Sequence, residues 1–567
     1  MGNAIDILLS LSIPALVLIH LVVAPYTKVE ESFNIQATHD ILAYGTPTKS
    51  IYTHLSTYYD HFDFPGAVPR TFIGPVFLAG IGQPFIILAG FQHAQLIVRA
   101  LLGLANSAAL IIFKNNLERA FGRSTARWYA LLQVSQFHIL FYASRPLPNM
   151  FAFPLTTLAF SQLIPHPDPR RQGARYKVAI ALLTMATAVF RSELAILMVT
   201  VALYGLIVPH ISLAQIIKPF LAFFALSLLI SVPVDSYFWQ KPLWPELWGF
   251  YYNAVLGSSS AWGVAPWHYY FTSALPKILT NPLVPFALVP FSLWNPGTAR
   301  QARALAVPSL LFVAIYSVQP HKEARFAFYV APPLTAAAAL AANYIFARQT
   351  KSLLLTFASM VVVGSVPASF AISAAMLVVS SLNYPGGEAL EALKGLVASS
   401  PSPDLQTASV HTDVLSCMTG VTLFGQNSHW PDHDHDHDHD HDHVVTFTFD
   451  KTEDETTLRN PLFWEQFDYV LAEDPGKPLG PWETIGVVEG LAGIEVLGPR
   501  SGSGSGSTPD DVERGSDRVL GRGALLRRIR DQVRGLTGGW WVGPRMEPRV
   551  HILRKLREGE ARRAVTA

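Results

Sequence analysis

Charge is scarce in this chain. Only 15% of its 567 residues are Asp, Glu, Lys or Arg, and the formal net charge is +1 at pH 7. No basic, aromatic-interleaved patch stands out, so nucleic-acid binding is not indicated. Cysteine is scarcer still: Cys417 is alone, which excludes an intramolecular disulfide and leaves the redox compartment unreported. Neither Lys nor Arg occurs in Met1-Gly2-Asn3-Ala4-Ile5-Asp6. The first apolar run therefore reads as a retained helix rather than a cleaved signal, because many further runs follow it. The end of the sequence, Ala564-Val565-Thr566-Ala567, shows no retrieval signal.

What is abundant is apolar sequence. Half of the residues are hydrophobic and the mean hydropathy is +0.28, too apolar for an ordinary soluble domain. Runs long enough to enter a bilayer lie near 4–24, 71–90, 96–113, 128–144, 151–165, 178–190, 194–210, 219–233, 281–294, 304–319, 327–347 and 352–380. They predict an all-α polytopic membrane protein with about 10–12 transmembrane helices. Basic residues gather at Lys114–Arg127, Arg170–Lys177, Arg300–Arg303 and Arg348–Lys351. The positive-inside rule makes those loops cytosolic and puts 145–150, 191–193, 234–277, 319–326 and the tail after 381 on the far side. Placing loop 25–70 on the far side too allows one net crossing over 71–113, where two runs occur. The first of them is interrupted by Gly74, Gly80, Gly82, Pro84 and Gly90, so either it is a re-entrant or interfacial segment or the charge rule fails at one loop.

Two stretches carry chemistry. His321, Lys322, Glu323 and Arg325 sit between 304–318 and 327–347, neither of which holds a charge. Such a cluster at a bundle mouth marks a functional site. Lys and Arg in a water-poor pocket suit a phosphate or pyrophosphate, which Arg can grip with two parallel hydrogen bonds. The competing reading is a snorkelling anchor. Loop 25–70 supplies acids: Glu30, Glu31 and Asp40. Adjacent Glu30 and Glu31 cannot face one way on a helix, so one can turn inward while the other stays wet. A partly desolvated carboxylate can serve as a general base toward a hydroxyl. Asp235 reads equally as a helix-end carboxylate or an acceptor contact. Arg191 and Glu193 read as an ion pair ahead of a sugar contact, and Asn149 as a cap or a substrate contact. Trp239, Trp244, Trp248, Trp262 and Trp267 suit a membrane interface more than sugar stacking.

The segment Pro320-His321-Lys322-Glu323-Ala324-Arg325-Phe326 resembles the HKE-x-RF signature of polyprenyl-phosphate-mannose-dependent mannosyltransferases of the endoplasmic reticulum, a branch of the GT-C glycosyltransferases. Within that branch the chain is similar to the α-1,6-specific members, which add the eighth mannose to the dolichyl-pyrophosphate oligosaccharide. That likeness rests on PYTKVEESFNIQATHD (25–40), FPGAVPRTFIGP (64–75), SRPLPNMFAFPL (144–155), VFRSELA (189–195), VDSYFWQKPLWPE (234–246) and YNAVLGSSSAWGVAPWHYYFTSALP (252–276). The resemblance implies a dolichyl phosphate mannose donor, a dolichyl-pyrophosphate-linked oligosaccharide acceptor, lumenal chemistry for protein N-glycosylation, and no metal or other cofactor. Transfer would invert the anomeric centre in one displacement, with one base. Glu30 or Glu31, then Asp40, are its candidates. His321, Lys322 and Arg325, helped by Arg70 and Arg145, would hold the donor phosphate. Glu323, Asp235 and Asn149 would orient these groups or contact the acceptor.

Composition divides the rest into a membrane part over 1–383, a lumenal small mixed α/β C-terminal domain over 384–500 and a linker with a basic tail over 501–567. Short strands are expected at Thr407–Leu415, Val444–Phe449, Tyr469–Ala472 and Ile494–Leu497, a helix near 388–398, and a final strand or helix at Arg549–Leu556. The Ser-Gly run 501–507 reads as a flexible linker. Asp432–His443 alternates six Asp with six His, and reads as a solvated insert. It also raises a rival, a polytopic zinc transporter with a His-rich loop. Ion conduction would need His, Asp or Glu inside the spans, which hold almost none. A non-catalytic scaffold would leave the basic cluster unused. Another mannosyltransferase of the branch, acting on a different arm or on a glycolipid anchor, is the nearer alternative.

Overall fold

Alanine decides the centre of the bundle. The helix Ala331–Phe346 carries the run Thr335–Ala339, followed by Leu340-Ala341-Ala342, and its side chains from Ala331 to Ala342 are all buried. Small side chains let neighbouring backbones approach closely, so helices Arg123–Val134, Val289–Trp294 and Ala299–Tyr316 all pack on it. Its one buried hydroxyl, Thr335, is satisfied by Gln136 Nε2 at 2.7 Å, and Gln136 accepts in turn from Gln133 at 2.9 Å. Burying amides in pairs avoids the cost of an unsatisfied polar group in an apolar interior.

The chain, a computed structural model, is described over residues 2–166, 168–257, 260, 262–399, 406–426, 445–499 and 518–556. It divides into two compact units. The first comprises residues 1–23, 40–83 and 96–377; the second comprises 24–39, 84–95 and 378–567.

The first unit is helical, as its apolar runs require. Among the described residues, five helices are long and apolar enough to cross a membrane: Asn3–Val23, Phe91–Phe121, Leu213–Trp239, Ala324–Phe346 and Leu353–Ser381. The pair Tyr270–Leu279 and Val284–Trp294, bent by 118°, makes a sixth if counted as one span. Several further apolar runs form helices shorter than that length. Run 128–144 is split at Ser135-Gln136 into Arg123–Val134 and Phe137–Tyr142, and run 194–210 yields only Leu194–Ile207. Ile73–Ala89 is one unbroken helix despite its glycines, and it stops at Gly90, whose φ of +93° suits only glycine.

The second unit holds a six-stranded mixed sheet. Its strands are β1 (Thr407–Thr412), β2 (Thr446–Asp450), β3 (Tyr469–Ala472), β4 (Trp482–Leu497), β5 (Val519–Leu520) and β6 (Trp541–Lys555). The order is β2-β1-β3-β6-β4-β5, with β1 parallel to β2 and β3, and with β6 antiparallel to β3 and β4. The helix Pro385–Ser399 lays Ala389, Leu390, Leu393 and Val397 on the sheet against Ala408, Val410, Leu471, Val488, Val550 and Ile552. That i, i+4, i+8 spacing is the apolar stripe of a one-sided helix. β1 ends at Thr412 instead of Leu415 because Asp413 caps a short helix, its Oδ1 accepting from Ser416 N at 2.8 Å. The Asp432–His443 repeat and the 501–507 linker lie outside the described residues.

Candidate active site

Arg70 is held from behind by a polar clamp. Asp235, fully buried near the end of helix Leu213–Trp239, accepts from Phe72 N at 2.7 Å, Ser231 Oγ at 2.6 Å and Thr71 Oγ1 at 3.0 Å. Trp239 Nε1 donates to the Arg70 carbonyl at 3.0 Å, and a His61 ring nitrogen meets the Phe238 carbonyl at 2.9 Å. Phe72 stacks on Phe238 with centroids 4.2 Å apart. The Arg70 carbonyl and the two residues after it are thereby fixed, which limits where its guanidinium can go.

Arg191 comes from the turn between helices Pro169–Val189 and Leu194–Ile207. Its Nε is 2.7 Å from Glu193 Oε1, the ion pair expected from sequence. Glu246, near the start of helix Pro245–Phe250, accepts from Ser192 N at 2.6 Å. Trp244 Nε1 donates to the Ala188 carbonyl at 2.8 Å and ties the two segments together. Tyr329 Oη lies 3.4 Å from Glu193 Oε1 and accepts from Asn149 Nδ2 at 2.7 Å.

The third arginine is Arg325. It grips Glu323 through Nε at 2.7 Å and Nη2 at 2.8 Å, a two-point pairing that orients both planes. His321 Nε2 reaches the same carboxylate at 3.1 Å. Phe326 packs beneath two guanidinium groups, 5.0 Å from Arg191 and 5.9 Å from Arg325.

These groups share one electrostatic field. Burial pushes Arg70 down to about 10, and repulsion from Arg191 and Arg325 adds to the shift. Burial would also lower Arg191, but attraction to Glu193 and Glu246 outweighs it and holds its proton more tightly than usual. Burial pushes Glu246 up to about 7 against the pull of Arg191. Glu323 goes the other way: burial opposes its charge, yet Arg325 and His321 keep it below the ordinary range. Three arginines thus share the site with Glu193 and Glu323, and with Glu246, whose charge burial disfavours. A cradle of this kind has spare positive charge for an anion and is built from rigid, forked donors.

Not every residue singled out from the sequence joins the cradle. Lys322 is 8% exposed, and its ammonium donates to the carbonyls of Gln319 at 2.6 Å and Ala265 at 2.8 Å. It clips two loops together. Arg145 is buried over the Phe141 ring at 4.1 Å. Asp40 is buried and accepts from Asp60 N at 2.9 Å. In the second unit Glu30 is exposed, whereas Glu31 is 2% exposed and accepts from Lys28 N at 3.1 Å. The adjacent pair is split inward and outward, as a helical turn demands. Trp248, Trp262 and Trp267 are exposed. Among the described residues no group of three His, Cys, Asp or Glu could hold a metal ion. Sequence reasoning missed Glu246 and Tyr329, and it read Arg191–Glu193 as an ion pair ahead of a sugar contact. Their signal was local: Arg191 and Glu246 both fall inside short motifs beside Pro, Trp and Ser.

A multi-pass helical bundle with an arginine cradle defines a membrane-embedded protein whose cradle suits an anion. The Alg9-like mannosyltransferase family matches residues 10–385, and the chain belongs to it. Relatives carrying the name Dol-P-Man:Man(7)GlcNAc(2)-PP-Dol alpha-1,6-mannosyltransferase include one from Saccharomyces cerevisiae, 33% identical over 84% of this chain and 86% of the relative. Those from Drosophila melanogaster and Arabidopsis thaliana are 37% and 36% identical over 72% of this chain, covering 58% and 78% of their own lengths. In fold, the chain is similar to the crystal structure of ArnT from Cupriavidus metallidurans bound to undecaprenyl phosphate. The TM-score is 0.50 at 12% identity, over 83% of this chain and 92% of that one. The GT-C architecture expected from the sequence is the one found.

Proposed function

We propose that this chain moves mannose from dolichyl phosphate mannose to the 6-hydroxyl of a mannose on a dolichyl-pyrophosphate-linked oligosaccharide, in the lumen of the endoplasmic reticulum. The observation that carries the reading is the cradle of Arg70, Arg191 and Arg325, in a chain of the Alg9-like family. The donor phosphate sits against these guanidinium groups. The acceptor O6 attacks the anomeric carbon while the bond from that carbon to the phosphate oxygen breaks. The hydroxyl proton passes to a carboxylate base, for which the family resemblance nominates Glu30 or Glu31. Dolichyl phosphate leaves with its new charge held by the arginines, and stabilising that developing charge is what lowers the barrier. One displacement inverts a β-linked donor to an α product, so one base suffices.

The test is transfer by purified protein from dolichyl phosphate mannose to a lipid-linked heptamannosyl acceptor, with EDTA present. One new α-1,6-linked mannose is expected, and its loss is expected in Arg325→Met and Glu31→Gln. A well-folded wild type that is silent with this acceptor but active with another would overturn the acceptor assignment. Silence with every acceptor would overturn the transferase reading.

A further inference from the structure

Two ion pairs of the cradle are built differently. Arg325 meets both oxygens of Glu323, through Nε to Oε2 at 2.7 Å and through Nη2 to Oε1 at 2.8 Å. Arg191 meets Glu193 at one point only, Nε to Oε1 at 2.7 Å. The Tyr329 hydroxyl donates to that same Oε1 at 3.4 Å, and Asn149 holds Tyr329 in turn. Among the described residues, Glu193 Oε2 therefore accepts no hydrogen bond, and the two terminal nitrogens of Arg191 donate none. The side chains are only 10% and 19% exposed. An ion pair that served packing alone would use its full fork, because donors and acceptors left unmet away from water are costly.

An aromatic wall adjoins these open ends. Tyr316, the last residue of helix Ala299–Tyr316, lies in the electrostatic field of Glu193, Arg191 and Glu323. Its ring stacks on Phe312 with centroids 5.7 Å apart and meets Phe326 edge-on at 6.0 Å. Phe326 is also the ring under Arg191. Among the described residues the half-buried Tyr316 hydroxyl makes no hydrogen bond. A few placed polar groups on an aromatic lining are what orient a small polar ligand. The complementary ligand carries acceptor oxygens at one end and hydroxyl donors close beside them. A glycosyl phosphate has both, phosphate oxygens for Arg191 and ring hydroxyls for Glu193. A lipid phosphate without its sugar would leave Glu193 Oε2 unmet.

We propose that Glu193 is the sugar-binding residue of this site. Its Oε2 accepts a ring hydroxyl of the donor mannose, while the terminal nitrogens of Arg191 hold the phosphate to which that mannose is attached. The assignment rests on the donor named under the proposed function and adds which side chain reads its sugar. A hydroxyl bonded to a carboxylate is charge-assisted, shorter and stronger than a neutral pair. An analogue lacking that hydroxyl leaves Oε2 withdrawn from water and unmet, so the contact discriminates as well as binds. Tyr329 and Asn149 are positioning residues, since they act on the ligand only by fixing the Glu193 carboxylate.

The test is equilibrium binding of the full chain to dolichyl phosphate mannose and to dolichyl phosphate, with transfer measured separately. The wild type should bind the mannosylated lipid more tightly by about tenfold or more, the scale of one hydrogen bond to a charged group. Glu193→Gln should shrink that preference to within about threefold. A role confined to holding Arg191 would weaken both lipids by one factor and leave the ratio as in the wild type, which would overturn the proposal. A second measurement needs no variant. Among 2-, 3-, 4- and 6-deoxymannosyl donors, one should lose about tenfold or more in affinity for the wild type. Equal affinity across all four would overturn the proposal as well. The transferase reading fails separately: mannose transfer with a ratio untouched by Glu193→Gln sinks this assignment alone. A Glu193-dependent ratio without transfer to any acceptor sinks the transferase reading, and the sugar site stands.

Discussion

The backbone N–H of Ser192 donates to a Glu246 carboxylate oxygen at 2.6 Å, and so anchors an acid beside Arg191. Burial holds that acid at about 7, well above the ordinary carboxylate range, with Arg191 and Arg70 pulling down and Glu193 pushing up. Below about pH 7 the group is neutral and the cradle carries an additional net positive charge. Above it the carboxylate competes with a bound phosphate for the same guanidinium groups. The apparent KM for the lipid phosphate donor should therefore rise as pH climbs through 7. Glu246→Gln should keep the low-pH value throughout. Donor KM measured on both proteins across the range from about pH 6 to 8 checks this. A wild-type profile as flat as that of the variant would remove Glu246 from the site.

Glu30 and Glu31 are neighbours in sequence with opposite environments, one exposed and one buried. If the base is the inward carboxylate, Glu31→Gln lowers the single-turnover rate by roughly 10²–10⁴-fold, the usual contribution of general-base catalysis. Glu30→Gln changes it little. Donor affinity should survive both substitutions, since neither removes a cation from the cradle. Equal activity in both variants would place the base elsewhere, with Asp40 next.

Asp235 serves Arg70 indirectly. Its carboxylate takes hydrogen bonds from Phe72 N, Thr71 Oγ1 and Ser231 Oγ, which flank or face the arginine's backbone. Asp235→Ala leaves buried donors unsatisfied, each costing about 1–3 kcal/mol. Thermal unfolding should drop, and donor KM should rise more than kcat falls, because Arg70 is misplaced rather than removed. A loss of kcat alone, with stability intact, would instead put Asp235 in contact with the reacting atoms.

How far these relationships could be read from sequence depends on their range. The apolar runs fixed helix identity, because burial in lipid or in a helical bundle acts on each residue directly. His321–Phe326 was legible because charge between two uncharged runs has few structural uses. Arg191, Glu246 and Tyr329 were not legible as site members, since their meeting depends on turns far apart in the chain. Where one run divides into two helices was not legible, because hydropathy does not register a break such as Ser135-Gln136. The helix Gly521–Leu536 was missed for a physical reason: its apolar stripe faces outward, and its partners are Glu388, Glu489 and Glu495, which no periodicity announces.

Lys322 and Arg325 are three residues apart yet have different surroundings, and substitution should separate them. Lys322 spends its ammonium on backbone carbonyls of Gln319 and Ala265, while Arg325 pairs with Glu323 and lines the cradle. Arg325→Met should cost about 10²–10³-fold in kcat/KM, the scale of losing one transition-state donor, with little change in thermal stability. Lys322→Met frees two loops and strands their carbonyls, so stability should fall by roughly 1–3 kcal/mol and activity should fall alongside it. Lys322→Arg keeps the charge but replaces a compact ammonium by a planar fork that cannot meet the same carbonyls in the same geometry, so it should resemble Lys322→Met in unfolding. Full retention of stability in Lys322→Met, with donor binding lost, would show that Lys322 touches the phosphate itself. Thermal unfolding and donor KM on the same three proteins decide between the two roles.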